Sequence, residues 1–584
     1  MSLMNRRTAL ALLGAGGVHL GLRPSPAAAS DEMAEWGGID QWGPRFRWDE
    51  TAGLLITKGG GPGYATRTTS AMMVHPTRES ATYAVALADY GHPRAAERIN
   101  RIVMRLADEQ DTNPFSLTFG TWPWYVEEPL SEMRPPDLNW ANFIGARLCE
   151  LLWDHGGLLT PEARSKANFV LLNACASIMR RNVGLDYTNV AVMAIRVTGM
   201  AGHLLNMPEL TSYAVTQMQR FSAYTRQQGG LTEYNSPVYT VLALTELEAI
   251  VYYLSDERIH RDASALWRET WETVAFHFHP PTQQWAGPHS RAYMDLLATE
   301  GWPMVEERIG RDVPARLRAL QRPPKYSIPC PEDLKVYFTD AAPLPRTVRE
   351  RYRRFADNGD EIWGTTWLAP EACLGSASIA MCWAQAHPVI GYWKGGAKPV
   401  VFRARVMKDK FDFASFGMRA TQSEGRVLVA AYPLVDAGDR FPNMFRSKDG
   451  YEGSELRFRF TVQGAGAQAR RIADDKIELS AGGWKAVVST GPCRYDGRDV
   501  TGQWTARTEG DIALAEVPVP LAGRIKPEEL KDTLFSAGVS VVPVAEVANP
   551  PAVTVGEAHD ARVASKSLSW GDLRLVSPAV PVSR

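Results

Sequence analysis

Cysteine is scarce and unpatterned in this chain. Its 584 residues include six, Cys149, Cys175, Cys330, Cys373, Cys382 and Cys493. None forms a Cys-x-x-Cys pair, and no His/Cys group has the spacing of a zinc site, so no structural metal and no cofactor are expected. Cys373 and Cys382 are close in sequence, but spacing alone assigns no disulfide. Net charge is also lacking: 64 basic residues face 65 acidic ones, for a formal charge of -1. That excludes a global field for nucleic acid. It still allows a cleft with local Arg and His, and hence an anionic partner. Long apolar runs are missing beyond the N-terminus, so no membrane-spanning helix is expected. No motif recurs at a fixed period, which argues against a helical-repeat solenoid.

What is present begins with a targeting pattern. Arg6-Arg7 precedes an apolar run, Ala9 to Leu22, and the small-residue stretch Pro24-Ser25-Pro26-Ala27-Ala28-Ala29. The run is too short to span a bilayer, and small residues stand where a signal peptidase would cut. The paired arginines favour a twin-arginine export signal over residues 1–29. The competing reading is a retained N-terminal anchor. Export places the mature protein in the periplasm or outside a bacterium.

The length predicts two domains. From about Thr69 to Leu320 apolar residues recur at helical spacing, as in Ile99, Ile102, Val103 and Leu106. Helices are predicted over 80–88, 95–107, 140–153, 161–179, 188–204, 210–226, 238–254 and 259–277, joined by short polar connections. Thr160-Pro161-Glu162 supplies an N-cap before a proline at the first helical position. Segments such as 238–254 are apolar on more than one face, which suits an inner ring of helices shielded by an outer one. The expected architecture over 30–322 is an (α/α) toroid, an incomplete helical barrel. Residues 323–360 read as a Pro-rich, charged connector. From Glu361 to the end the pattern is β. Leu456, Phe458, Phe460 and Val462 alternate with Arg457, Arg459 and Thr461, a strand with one buried face. Many short strands with Gly-rich turns predict an antiparallel β-sandwich over 361–584.

Chemistry concentrates between Gly229 and Tyr293. The stretch opens with Glu233-Tyr234-Asn235-Ser236-Pro237-Val238-Tyr239 and closes with Pro288-His289-Ser290-Arg291-Ala292-Tyr293. A third candidate lies upstream, Asp186-Tyr187-Thr188-Asn189. A long loop carries Trp122, Trp124 and Tyr125, and either stacks on sugar rings or plugs one end of the toroid. Each residue also has a plain reading. Asn189 caps or crosslinks helices, His289 caps a turn, Arg291 makes a structural ion pair, and Tyr239 belongs to the core. A glycoside hydrolase would need two carboxylates across a cleft. Glu233 is its best acid, with Asp186, Asp295 or Glu127 as partner. A third class is a non-catalytic glycan-binding protein.

A helical toroid followed by a β-sandwich, in an exported chain, resembles the polysaccharide lyases that cleave uronic-acid glycans, such as hyaluronate/chondroitin, alginate, xanthan and glucuronan lyases. Asn139-Trp140-Ala141-Asn142-Phe143-Ile144-Gly145 resembles the Asn-Trp…Ile-Gly helix start of the hyaluronate/chondroitin group. Asn189 falls about where that group has its carboxylate-neutralising Asn. Gly229-Gly230-Leu231-Thr232-Glu233-Tyr234 falls about where it has a glycine-led turn before a catalytic His and Tyr. No His follows the turn in this chain; Tyr234, Asn235 and Tyr239 stand there, and the next candidate His is His289.

The resemblance implies β-elimination. A base removes the C5 proton of a uronate, an acid protonates the departing O4, and donors neutralise the carboxylate. The candidate catalytic set is Asn189, Tyr239, His289, Arg291 and Tyr293. Asn189 and Arg291 would hold the carboxylate, and His289 would be the base. Tyr239 or Tyr293 would be the acid, or one Tyr would serve as both. Trp122, Trp124, Asn139, Glu233, Tyr234 and Asn235 are candidate substrate contacts.

Overall fold

The computed structural model describes residues 41–42, 45–61, 64–297, 302–311, 325–356, 359–435, 437–442, 444, 446–558 and 563–583. The export signal expected over 1–29 lies outside the described residues. The chain forms two compact units. One comprises the described parts of Met1–Arg226, Val238–Trp271 and Glu300–Pro331; the other comprises Gln227–Pro237, Glu272–Thr299 and Glu332–Arg584. The partition is not linear. Two segments embedded in the helical half of the sequence, 227–237 and 272–297, fold with the strands.

The first unit is helical. Its main helices are α1 (Thr77–Asp89), α2 (Ala95–Glu109), α3 (Trp140–His155), α4 (Pro161–Arg181), α5 (Thr188–Leu204), α6 (Pro208–Gln228), α7 (Tyr239–Tyr253) and α8 (Glu257–His277), the last of which runs on into the second unit. Alternate helices form an inner row: α1 packs on α3, α3 on α5, and α5 on α7. Outside it, α2 packs on α1, and α4 on α3 and α2. Thr211 and Ala214 of α6 face Gly202 and Gly199 of α5. This alternation is the (α/α) toroid arrangement. It explains why α5 and α7 are apolar nearly all round, since both are covered on the inside and the outside. The outer α4 starts as its sequence dictates, with Thr160 Oγ accepting from Ala163 N at 3.2 Å and Pro161 in the first turn. Such a cap stabilises a helix by about 1 kcal/mol.

A charged belt crosses the inner row. Fully buried Arg196 of α5 pairs with Glu150 of α3 and Glu246 of α7, while Arg147 holds Glu150 at 2.8 Å and Tyr326 donates to it at 2.9 Å. Burial pushes the Glu150 carboxyl up, but Arg147 and Arg196 outweigh it and hold the group below its usual range. The belt ties three helices together in a region that would cost dearly if any charge were left alone.

The second unit is antiparallel β. Its larger sheet runs through strands Thr505–Glu509, Ile512–Ile525, Tyr451–Gln463, Val400–Lys408, Val389–Trp393, Ala372–Ala377, Glu361–Leu368 and Arg346–Arg354. The second sheet runs through Ile379–Met381, Phe416–Ser423, Arg426–Pro433, Phe535–Pro543, Trp484–Thr490, Lys476–Ala481 and Gln468–Ala473. One core joins their inner faces, including Phe402, Val406, Phe458, Phe460, Val427, Val429, Phe535 and Val539. The alternation over 456–462 behaves as the sequence dictates: Leu456, Phe458, Phe460 and Val462 are buried, and the residues between are not. Arg346–Arg354, within the segment read as a connector, is the edge strand of the larger sheet.

No helix among the described residues is long and apolar enough to cross a membrane. All six cysteines are buried free thiols.

Candidate active site

The inner helices of the first unit begin at one end of it. Asn142 Nδ2 donates to Val190 O at 3.4 Å and Cys149 Sγ to Val197 O at 3.7 Å, each pair 48 residues apart. Arg196 meets Glu246, 50 residues on. A near-constant offset along neighbouring helices means that they run parallel and level. Thr77, at the start of α1, accepts from Trp140 Nε1 at 3.1 Å, which brings α1 into the same alignment. None of α1, α3, α5 and α7 has an N-cap side chain accepting from its first turn. The positive ends of α3, α5 and α7 therefore face one mouth, an arrangement that favours an anion, while Thr77 N at the start of α1 donates to Trp124 O at 3.1 Å.

Side chains at that mouth combine amides, phenols and aromatics. Arg181 Nη1 donates to Asn139 Oδ1 at 2.7 Å, and Asn139 Nδ2 donates to the Tyr187 hydroxyl at 3.2 Å. Asn189 sits in the first turn of α5, buried, and half-buried Tyr239 is the first residue of α7. Trp124 stacks on Trp140 with ring centroids 5.0 Å apart, and its indole N–H reaches Asp137 Oδ2 at 3.2 Å. Burial raises the Asp137 carboxyl. Arg78 lies over the Trp140 ring at 4.6 Å. Trp122, two residues from Trp124, is different: it is 0% exposed and donates to Leu106 O at 2.7 Å. Its rings are filled in by the core, so the stacking role read for both tryptophans is left to Trp124.

The second unit gathers the other candidates. Two close approaches seat the embedded segments on the larger sheet. A side chain at Gly364 would collide with the Tyr234 ring, at 2.5 Å, and one at Gly375 with the Gly287 carbonyl, at 1.8 Å. Thr366 Oγ also donates to Gly287 O at 2.6 Å. Tyr234 stacks on Tyr352 at 4.3 Å, and its hydroxyl lies 2.8 Å from His277 Nε2. His277 Nδ1 is 2.8 Å from Thr273 O, which places the imidazole proton on Nδ1 and makes Nε2 the acceptor for Tyr234.

Asn235 donates to Ala286 O at 2.7 Å and Pro288 O at 3.0 Å. Its own carbonyl accepts from His289 Nδ1 at 2.6 Å. His289 is 2% exposed, and burial holds it at about 4, so it is a neutral, enclosed imidazole at neutral pH. It lies beside His387, ring centroids 5.8 Å apart, which burial also keeps neutral. Arg291 donates from Nη1 to Glu233 at 2.7 Å and from Nε to Gln385 at 3.0 Å, beneath the Trp383 ring at 5.7 Å. Tyr293 is half-buried.

The structure thus places Asn139, Asn189, Tyr239, Trp122 and Trp124 in the helical unit, and Glu233, Tyr234, Asn235, His289, Arg291 and Tyr293 in the β unit. Three of the carboxylates weighed for a hydrolase are engaged by cations: Glu233 by Arg291, Asp295 by Arg403, and Glu127 by His75. Sequence reasoning missed Arg181, Asp137 and His387, and read His277 as a satisfied or surface histidine. The step of about 50 residues between inner-helix starts was the signal that would have aligned Asn139, Asn189 and Tyr239.

Fold and site define a chain of helical-toroid and antiparallel-β architecture with a polar, aromatic mouth. Residues 47–299 match a family described as a domain of unknown function (DUF8769). No curated protein sequence matches the chain. Among solved structures, it is similar to heparinase III, at 9% identity over 86% of this chain and 82% of that one, with a TM-score of 0.41. It is also similar to the Streptomyces coelicolor A3 chondroitin AC lyase in complex with chondroitin sulphate, at 12% identity over 97% of this chain and 86% of that one, with a TM-score of 0.48.

Proposed function

We propose that this chain is an exported polysaccharide lyase that cleaves a uronic-acid glycan by β-elimination. One observation supports the reading above others: the level starts of the four inner helices, which gather Asn139, Asn189, Tyr187, Tyr239 and Trp124 at one mouth. A uronate carboxylate entering it meets positive helix ends and amide donors. Neutralising that carboxylate makes the C5 proton removable, because charge from the broken C–H bond flows onto the carboxylate oxygens. Tyr239, on the first turn of α7, is the proton-transfer group. Its phenolate takes the C5 proton. The phenol then returns that proton to O4 as the C4–O4 bond breaks, leaving a C4=C5 double bond. The base role read for His289 passes to Tyr239 in this scheme, since burial lowers the His289 imidazole to about 4 and so makes it a weak base. Trp124 supplies a ring face for the sugar.

The test is an ultraviolet scan of the mature protein with glucuronan, alginate, hyaluronan, chondroitin, xanthan and ulvan. Elimination yields a double bond conjugated to the carboxylate, so absorbance rises on the substrate polymer. Reducing ends released without absorbance would overturn the proposal in favour of hydrolysis. Export is checked by locating the protein in a bacterial host whose twin-arginine pathway is intact or deleted; periplasmic protein in both strains would refute that route.

A further inference from the structure

The loop between α2 and α3 holds two large apolar side chains out in solvent: Phe115 is 94% exposed and Leu117 is 90% exposed. The tip is not loose. Asp111 N bonds Thr121 O at 3.0 Å, Gly120 N bonds Asp111 O at 2.7 Å, and Thr118 Oγ donates to Asp111 Oδ2 at 2.6 Å. Phe115 N donates to Asn113 Oδ1 at 3.1 Å. A loop so fully bonded pays little entropy when its apolar tip is covered. From the helix side, Arg180 lies over Phe119 at 5.6 Å and donates to Leu117 O at 3.2 Å. Its chain neighbour Arg181 holds Asn139 in the mouth. Neither arginine is ion-paired among the described residues, and Arg180 is exposed. Asp111 lies within the electrostatic reach of Arg180, and it is bonded by Thr118 and by the Asn113 N–H.

We propose that Phe115, Leu117 and Arg180 form a distal subsite for the same anionic glycan, binding a uronate residue further along the chain than the one in the mouth. This rests on the lyase reading. The chemistry fits both halves of such a residue. The apolar face of a pyranose covers Phe115 and Leu117. Its carboxylate takes the guanidinium edge that Arg180 does not spend on Leu117 O. Continuity with the mouth through the consecutive Arg180 and Arg181 is what selects a glycan over a lipid surface or a second protein.

The test compares the wild-type protein with the double variant Phe115→Ala/Leu117→Ala and with Arg180→Gln, all confirmed folded by thermal melting. Two quantities are read: KM and kcat on long polyuronide against the shortest oligosaccharide cleaved, and retardation in gels containing the polyuronide, which needs no turnover. The expected result is a KM for polymer raised roughly five- to tenfold, kcat and short-oligosaccharide cleavage unchanged, and weaker retardation. If wild type is retarded without turnover and the variants are not, the subsite stands and the lyase reading fails. Unchanged polymer KM and retardation in the variants would overturn the subsite. So would loss, in the variants, of binding to anionic vesicles or of self-association by light scattering, with glycan binding intact. A wild-type protein neither retarded nor active on any polymer overturns both readings.

Discussion

Arg291 reaches across 58 residues of sequence to hold Glu233 at 2.7 Å, joining the two ends of the stretch richest in chemistry. The pair is mostly shielded, and Gln385 completes it. Glu233→Gln keeps a hydrogen-bond acceptor but removes the negative charge that Arg291 bonds. The expected cost is about 1–3 kcal/mol, seen as a lower melting temperature with elimination activity retained in the surviving protein. Lost turnover at unchanged stability would instead mark Glu233 as a reacting acid.

Arg196 stands between two carboxylates and is fully buried. Arg196→Met leaves Glu246 in the interior without the cation that bonds it, and Glu150 with Arg147 alone. A loss of about 3–5 kcal/mol is expected, read by the helical circular dichroism signal on heating. Adding Glu246→Gln to the same variant should recover part of it, because Arg147 still pairs with Glu150 and the charge left alone is removed. A single variant as stable as wild type would show that the belt contributes nothing.

Local features of the fold were legible in the sequence, and long-range ones were not. Thr160-Pro161 marked the start of α4, and the alternation at 456–462 marked a strand, because each depends on residues a few positions apart. The seating of 227–237 and 272–297 on the sheet was not legible. It depends on Gly364 and Gly375 accepting Tyr234 and Gly287 from more than 80 residues away, which periodicity does not encode. Within the candidate site, residue types were legible and environments were not. Trp122 and Trp124 read alike, yet one is sealed in the core and the other stacks on Trp140 at 5.0 Å. His289 reads as a base, yet its burial follows from neighbours brought in by the β unit.

His75 sits between two carboxylates, bonded through Nδ1 to Glu127 and through Nε2 to Asp49 at 3.3 Å. It fastens the loop that carries Trp124 to the strand Phe46–Asp49. The hydrogen bond to Glu127 raises the imidazole above its usual value, against burial, and Asp49 adds to the rise. A raised folded-state value means that the clamp is fully present below the unfolded His value of about 6.5 and is lost as pH rises through the folded one. Both carboxyls are held low. For Asp49 the Ala52 N–H is the largest contribution; for Glu127 the bonds from His75 outweigh burial. Their contribution is present above the usual carboxylate range and fades as pH falls into it. Melting temperature measured against pH should therefore show a His75-dependent gain that declines above neutrality, and His75→Gln should flatten that decline. Identical pH profiles for the two proteins would remove the clamp from the account.

In the proposed mechanism Tyr239 is the residue on which the chemistry turns, and its position separates it from a core tyrosine. It is half-buried at the first turn of α7, level with Asn189 at the first turn of α5. Tyr239→Phe keeps the ring and removes only the hydroxyl, so packing is preserved while proton transfer is lost. Elimination should fall by about 10²–10⁴ in kcat with KM little changed, the range that general acid–base groups contribute. Asn189→Ala should also lower kcat, because it strips a donor from the charge that develops on the carboxylate in the transition state. Absorbance-based turnover on the substrate polymer, with melting curves as the fold control, reads both. A Tyr239→Phe protein that keeps wild-type kcat would move proton transfer elsewhere, and Tyr293→Phe would be the next replacement to measure.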